Sequence, residues 1–145
     1  MTFAKAVFWI AGIWGLLVIT PLFFIFNQIG RQNPPPITHP GFYYGFATTA
    51  LAWQIGFCLI ARDPQRFRPL MVPSILEKFG YATSITILFF QKRIASADFV
   101  LGMVDLLLGI LFLISYYRTR SHGLTGISRP SPELTRGKKL SYPTA

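Results

Sequence analysis

The composition of the chain excludes an ordinary soluble domain. Of its 145 residues, 52% are hydrophobic and only 13% are charged, and the formal net charge is +9. Soluble domains carry about 25% charged residues, so this chain has too few charges to cover a surface in water. The sequence therefore predicts a basic integral membrane protein.

Four apolar segments are long enough to cross a bilayer, for which a helix needs about 20 residues. They are predicted at residues 7–26, 42–61, 71–90 and 98–117. The first segment contains no ionisable side chain, but it contains Pro21, where we expect a kink. The connection between the first two segments, residues 27–41, holds four prolines and is expected to be an extended, polyproline-like loop.

These segments predict an all-α fold, an integral membrane antiparallel four-helix bundle formed by residues 1–120. The remaining residues, 121–145, are rich in Ser, Thr, Gly, Pro and basic side chains and contain few large apolar ones. Such a composition cannot bury enough apolar surface to fold. We therefore expect a disordered basic tail after the bundle.

The distribution of positive charge predicts the orientation of the bundle. With four spans, both termini lie on one side, and that side carries ten Lys and Arg residues against three on the other. Cytoplasmic loops are enriched in Lys and Arg. Both termini are therefore expected in the cytoplasm.

The turn between the second and third segments reads "RDPQRFRP" and is expected to face the cytoplasm. Its prolines suit the end of one helix and the start of the next. Its three arginines, Arg62, Arg66 and Arg68, are candidates for contact with anionic lipid head groups. Each such contact near a membrane surface contributes about 1 kcal/mol.

Ionisable side chains inside membrane spans are costly, so each is a candidate for function. The predicted spans contain Glu77, Lys78 and Asp105, together with the amide of Gln54. From the predicted helix starts, the two acids enter from opposite faces and differ in height by about 10 Å. Lys78 can reach either toward Asp105 or down to the head groups, and the sequence leaves both open.

The sequence contains no pattern that indicates an enzyme, a metal site or a bound cofactor. Both histidines lie outside the predicted spans, and the single cysteine, Cys58, lies inside one. No metal-ligand spacing, phosphate-binding glycine loop or nucleophile motif is present. We expect neither a metal nor a cofactor, and no nucleic acid partner.

Several short motifs carry a resemblance to known membrane proteins. The stretches "HPGFYYGF", "LAWQ", "ARDPQRFRPLM", "LEK" and "DLLLG" resemble a group of small bacterial four-helix membrane proteins over most of residues 39–118. More distantly, the length, the four spans and the R-D-P turn are similar to DoxX-like proteins. This resemblance implies a multi-pass protein of the bacterial inner membrane, and for some DoxX-like proteins a redox or quinone-linked partner. It assigns no catalytic residue to this chain.

Two classes of function fit these features. The first is a structural or partner-binding membrane subunit, which contacts the lipid bilayer and either another membrane protein or a second copy of itself. The alternative is a protein that binds or modifies a small apolar molecule, such as a lipid or a quinone, in an intramembrane pocket. A sterol-isomerase-like pocket of this kind would be lined by Trp53, Tyr81, Glu77 and Asp105. Proton-coupled transport is a third, weaker alternative.

The contacts of the three charged side chains distinguish these hypotheses. Direct closure of Glu77, Lys78 and Asp105 onto one another, with no cavity, would favour the structural subunit. Convergence of the same side chains on an apolar cavity beside Trp53 or Tyr81 would favour ligand binding.

Overall fold

The computed structural model describes residues 2–32 and 36–119, and all regular structure in these ranges is helical. The predicted disordered tail, residues 121–145, lies outside the described residues. Five α-helices are present in the described part of the chain: α1 Phe3–Ile19, α2 Phe26–Gln32, α3 Pro40–Arg62, α4 Arg68–Phe90 and α5 Ser96–Arg118.

The first predicted span differs from the observed one at both ends. Helix α1 begins at Phe3, and a 3-10 turn, Thr20–Phe23, follows it directly. Pro21 lies at the start of this turn and has no N–H for an α-helical hydrogen bond, so the helix changes there, as expected. The extended loop predicted from residue 27 is wrong in its first part, because α2 continues to Gln32.

The turn between α3 and α4 follows the pattern expected from its prolines. Helix α3 ends at Arg62, and the Asp63 carboxylate accepts a hydrogen bond from the backbone N–H of Arg66 at 3.1 Å. Pro69 occupies the first turn of α4, where a missing N–H is harmless. Pro73 instead lies inside α4, since this helix begins three residues earlier than predicted.

The four long helices pack as two close antiparallel pairs, α1 with α3 and α4 with α5. Glycines allow the close approach in both pairs. A Cβ on Gly12 would lie 2.6 Å from the Cys58 sulfur, and one on Gly109 would lie 3.2 Å from Cβ of Lys78. The two pairs contact each other less extensively, through α1 with α5 and α3 with α4.

The main hydrophobic core lies at one end of the molecule, which we call the packed half. It comprises the first halves of α1 and α4 and the second halves of α3 and α5. The rings of Phe8, Phe57 and Phe112 are fully buried there. Phe8 stacks on Phe112 at a centroid distance of 4.2 Å, and Phe57 meets Phe112 edge-on at 5.0 Å. These rings join both helix pairs into one unit.

The outer surface of the helices is strongly apolar. Large hydrophobic side chains are exposed along it, among them Phe24 at 83%, Leu76 at 72% and Phe90 at 76%. Exposed apolar surface on this scale marks contact with a membrane or a partner. Three segments in the described part of the chain are long and apolar enough to span a membrane: Phe3–Phe23, Pro40–Arg62 and Ser96–Arg118. The molecule thus has the helices of a membrane protein.

Candidate functional site

All four polar candidates come from the middle of their helices. Gln54 lies near the middle of α3, Glu77 and Lys78 lie midway along α4, and Asp105 lies near the middle of α5. Helices α4 and α5 begin at residues 68 and 96 rather than at 71 and 98. The polar side chains therefore lie deeper, and closer together, than the sequence predicted.

Lys78 joins the two acids in one ion cluster. Its ammonium group lies 3.1 Å from the Asp105 carboxylate and 3.4 Å from the Glu77 carboxylate. Since one nitrogen contacts both acids, the predicted height difference of about 10 Å between them is wrong. Of the two directions open to Lys78, the structure shows the one toward Asp105, and the lysine is only 5% exposed.

The ion cluster also touches the packed half. The Lys78 ammonium lies 5.3 Å from the centroid of the Phe57 ring, within the range of a cation–π interaction. Glu77 and Asp105 remain partly accessible, with side chains 26% and 19% exposed. The lysine is thus enclosed by its partners, whereas the acids each keep an open side.

Gln54 forms a second buried polar group beside the ion cluster. It is 3% exposed, and its side-chain N–H₂ donates a hydrogen bond to the backbone carbonyl of Ala50 at 3.0 Å. Its amide packs over Gly15 of α1, where a Cβ would overlap it. A residue larger than glycine at position 15 would push this amide away.

A cavity of about 90 Å³ lies between the two helix pairs, on the side of the ion cluster away from the phenylalanine core. We call this end of the molecule the cavity half; it comprises the second halves of α1 and α4 and the first halves of α3 and α5. All four long helices line the cavity. Its polar lining is Gln54, Glu77, Lys78, Tyr81 and Asp105, and its apolar lining includes Trp14, Phe46 and Leu101.

The cavity opens toward the apolar exterior of the helices. Three lining side chains, Trp14, Phe46 and Leu101, are 43 to 49% exposed on the outer surface. A ligand can therefore have one end at the buried polar groups and the other among lipid chains. Such a combination of apolar walls and a few convergent polar groups is typical of small-molecule sites.

The aromatic lining was predicted only in part. Tyr81 lines the cavity as expected, but Trp53 does not; it packs against the phenylalanine core and lies 6.0 Å from Phe57 between ring centroids. Trp14 and Phe46 were missed. Nothing in the sequence distinguishes them from other apolar residues of a span, so only the helix packing reveals them.

The three arginines of the turn divide into two groups. Arg62 and Arg66 are exposed and remain candidates for contact with lipid head groups. Arg68 is held within the protein, because its side-chain N–H donates to the Tyr116 carbonyl at 3.4 Å and its guanidinium stacks on the Tyr116 ring at 3.8 Å. Its visible role is to tie α4 to α5.

Among the residues that the structure covers, no group of three or more His, Cys, Asp or Glu side chains is placed to hold a metal ion. In comparisons with known proteins, no family model, no curated protein and no solved structure matches the chain.

Proposed function

We propose that this chain is a four-span integral membrane protein that binds a small amphipathic molecule in the cavity half. The observation that carries this proposal is the convergence of Gln54, Glu77, Lys78 and Asp105 on a cavity that opens to the apolar exterior. The polar end of the ligand would meet these side chains, and its apolar end would lie among lipid chains.

The proposal treats α4 as a fourth span, although its polar residues lower its mean hydropathy. Helices α3 and α5 are both apolar enough to cross a membrane, and both are joined to α4 by short turns. Because consecutive helices run antiparallel, α4 has to return from one membrane face to the other. Lys78 points inward, while Val72, Leu76 and Ile87 on the same helix are exposed and apolar.

The proposed orientation places both termini in the cytoplasm of a bacterial cell, following the excess of positive charge on that side. The resemblance to DoxX-like inner-membrane proteins agrees with this placement. Cys58 is the single cysteine, so a Cys58→Ala background allows site-specific labelling. In intact cells, an impermeant maleimide should label Gln91→Cys but not Gln65→Cys. Labelling of Gln65→Cys alone would show the opposite orientation, with both termini outside the cytoplasm.

A structural or partner-binding subunit is the second candidate function. It is favoured by the closure of Lys78 onto both acids, which satisfies the ammonium group without any ligand. Under this interpretation the ion cluster only holds α4 against α5. The cavity is the feature that the structural role does not require.

Photo-crosslinking from the cavity wall tests ligand binding. The photoreactive residue p-benzoylphenylalanine is placed at Phe46, which lines the cavity, or at Phe42, which is 82% exposed and lies outside it. After irradiation in the native membrane, the mass of the purified chain reports what was captured. We expect a discrete small molecule from position 46 and bulk phospholipid from position 42.

The same experiment separates the two functions. Identical phospholipid adducts at both positions would contradict a specific ligand. Capture of a second protein chain at both positions, with no small molecule at position 46, would favour the structural subunit.

A further inference from the structure

The charges around the cavity indicate which kind of head group it accepts. The ion cluster has one ammonium group and two carboxylates, so its formal charge is negative overall when all three are ionised. Lys78 donates hydrogen bonds to Asp105 at 3.1 Å and to Glu77 at 3.5 Å. An anionic head group at the lysine would lie beside both carboxylates and would be repelled by them.

The carboxylates of Glu77 and Asp105 are the charged acceptors that line the cavity. Glu77 Oε2 is buried and has no hydrogen-bond partner among the described residues, since its 3.4 Å contact with Lys78 is not in hydrogen-bond geometry. Gln54 uses one of the two hydrogens of its N–H₂ group on Ala50. Because a buried acceptor without a donor is costly, a ligand whose donor reaches the Glu77 carboxylate is favoured.

The aromatic walls also suit a positive charge. Trp14, Phe46 and Tyr81 contribute rings to the lining, and the faces of aromatic rings attract ammonium groups. The cavity volume of about 90 Å³ is enough for a head group of a few heavy atoms. The remainder of the ligand has to extend past Trp14 and Leu101 toward lipid.

We propose that the cavity binds the ammonium group of an amphipathic amine, with the carboxylates of Glu77 and Asp105 as its counter-ions. This inference rests on the proposed function, because it names the class of ligand for the same cavity. A neutral alcohol would donate one hydrogen bond without the charge attraction. A carboxylate of the same length would be repelled by the two acids.

Three probes with the same six-carbon chain test this inference: n-hexylamine, n-hexanol and hexanoate. Their binding to the full chain in lipid nanodiscs is measured by titration calorimetry at neutral pH, with empty nanodiscs as the correction for partition into lipid. We expect n-hexylamine to bind about tenfold more tightly than n-hexanol, since hydrogen bonds to charged groups are stronger than neutral ones. Hexanoate should show no binding above the correction.

Two substitutions and one control define the site. Glu77→Gln keeps the shape and removes one counter-ion, so the preference for the amine over the alcohol should fall. Ala50→Leu fills the cavity, so the binding of every probe should fall. Asp63→Asn removes an acid at the exposed turn, far from the cavity, and should change nothing.

The outcomes test separately whether the ligand is an amine and whether the cavity binds a ligand at all. If the amine and the alcohol bind equally well and Ala50→Leu abolishes the binding of both, the proposal of an amine ligand is wrong but the proposal of a ligand cavity stands. If hexanoate binds more tightly than the other two probes, the proposal of an amine ligand is also wrong. Absence of binding by all three probes would contradict both the amine and the ligand cavity. Thermal unfolding of each variant, measured in parallel, shows that the chain is folded.

Discussion

In the packed half, Phe8, Phe57 and Phe112 fill the space between the helix pairs, whereas in the cavity half the same helices leave a space of about 90 Å³. The difference follows from side-chain size. In the cavity half, the small residues Gly15 and Ala50 are part of the cavity lining. Each pair stays close through its glycines, and the cavity remains between the two pairs.

The ion cluster lies at the boundary between the two halves. Lys78 touches Phe57 on one side and lines the cavity on the other. Burying an ion pair is seldom a net gain in stability compared with apolar packing. Its position at the base of a cavity therefore agrees better with a role in binding than with a role in stability alone.

The largest expected effect is a difference in stability between substitutions in the packed half and in the cavity half. Phe112→Ala removes a fully buried ring from the core and should lower the free energy of unfolding by about 4 kcal/mol. Phe46→Ala removes a ring that is 49% exposed at the cavity and should cost less than about 1 kcal/mol. Unfolding in mixed micelles measures both. Equal losses would show that the two halves are packed alike.

The second prediction concerns the boundary. Lys78→Met leaves two carboxylates close together without their ammonium partner and should destabilise the protein by about 3 kcal/mol. Combining it with Glu77→Gln and Asp105→Asn removes the uncompensated charges and should restore most of this loss. The same unfolding measurement applies. If Lys78→Met leaves the free energy of unfolding unchanged, the ion cluster does not hold the helices together.

The smallest expected effect comes from two glycines. A Cβ at Gly15 would overlap the Gln54 amide, so Gly15→Ala should cost about 1 to 2 kcal/mol in the free energy of unfolding. Gly80 has no atom within 4 Å of its Cβ position, so Gly80→Ala should be neutral or stabilise the helix by about 0.5 kcal/mol. If both substitutions stabilise the protein, Gln54 moves freely and is not held against α1.

The helical class and three apolar helices could be predicted from the sequence because long apolar runs carry that information directly. The heights of Glu77 and Asp105 could not. Their helices begin at Arg68 and Ser96, and polar residues at a helix start do not show in an apolar pattern. The predicted starts are three residues late for α4 and two residues late for α5, and at about 1.5 Å per residue these errors account for about 7 Å of the predicted difference in height.

Helix α2 was missed, whereas the cavity was predicted as one alternative with only part of its lining, and the two shortfalls have different reasons. The prolines after residue 33 predicted an extended loop for all of residues 27–41, although no proline lies within Phe26–Gln32. The cavity depends on the spacing of two helix pairs, which no single segment records. Its aromatic residues, Trp14 and Phe46, resemble any other apolar residue of a membrane helix.

Native mass spectrometry of the protein, extracted gently from its own membrane, tests ligand binding in the cavity half most directly. The wild-type chain and Ala50→Leu are compared under the same conditions. We predict that the wild-type chain retains a small molecule of discrete mass and that Ala50→Leu retains none. A wild-type chain that carries nothing, or carries the same molecules as Ala50→Leu, would contradict the proposed cavity.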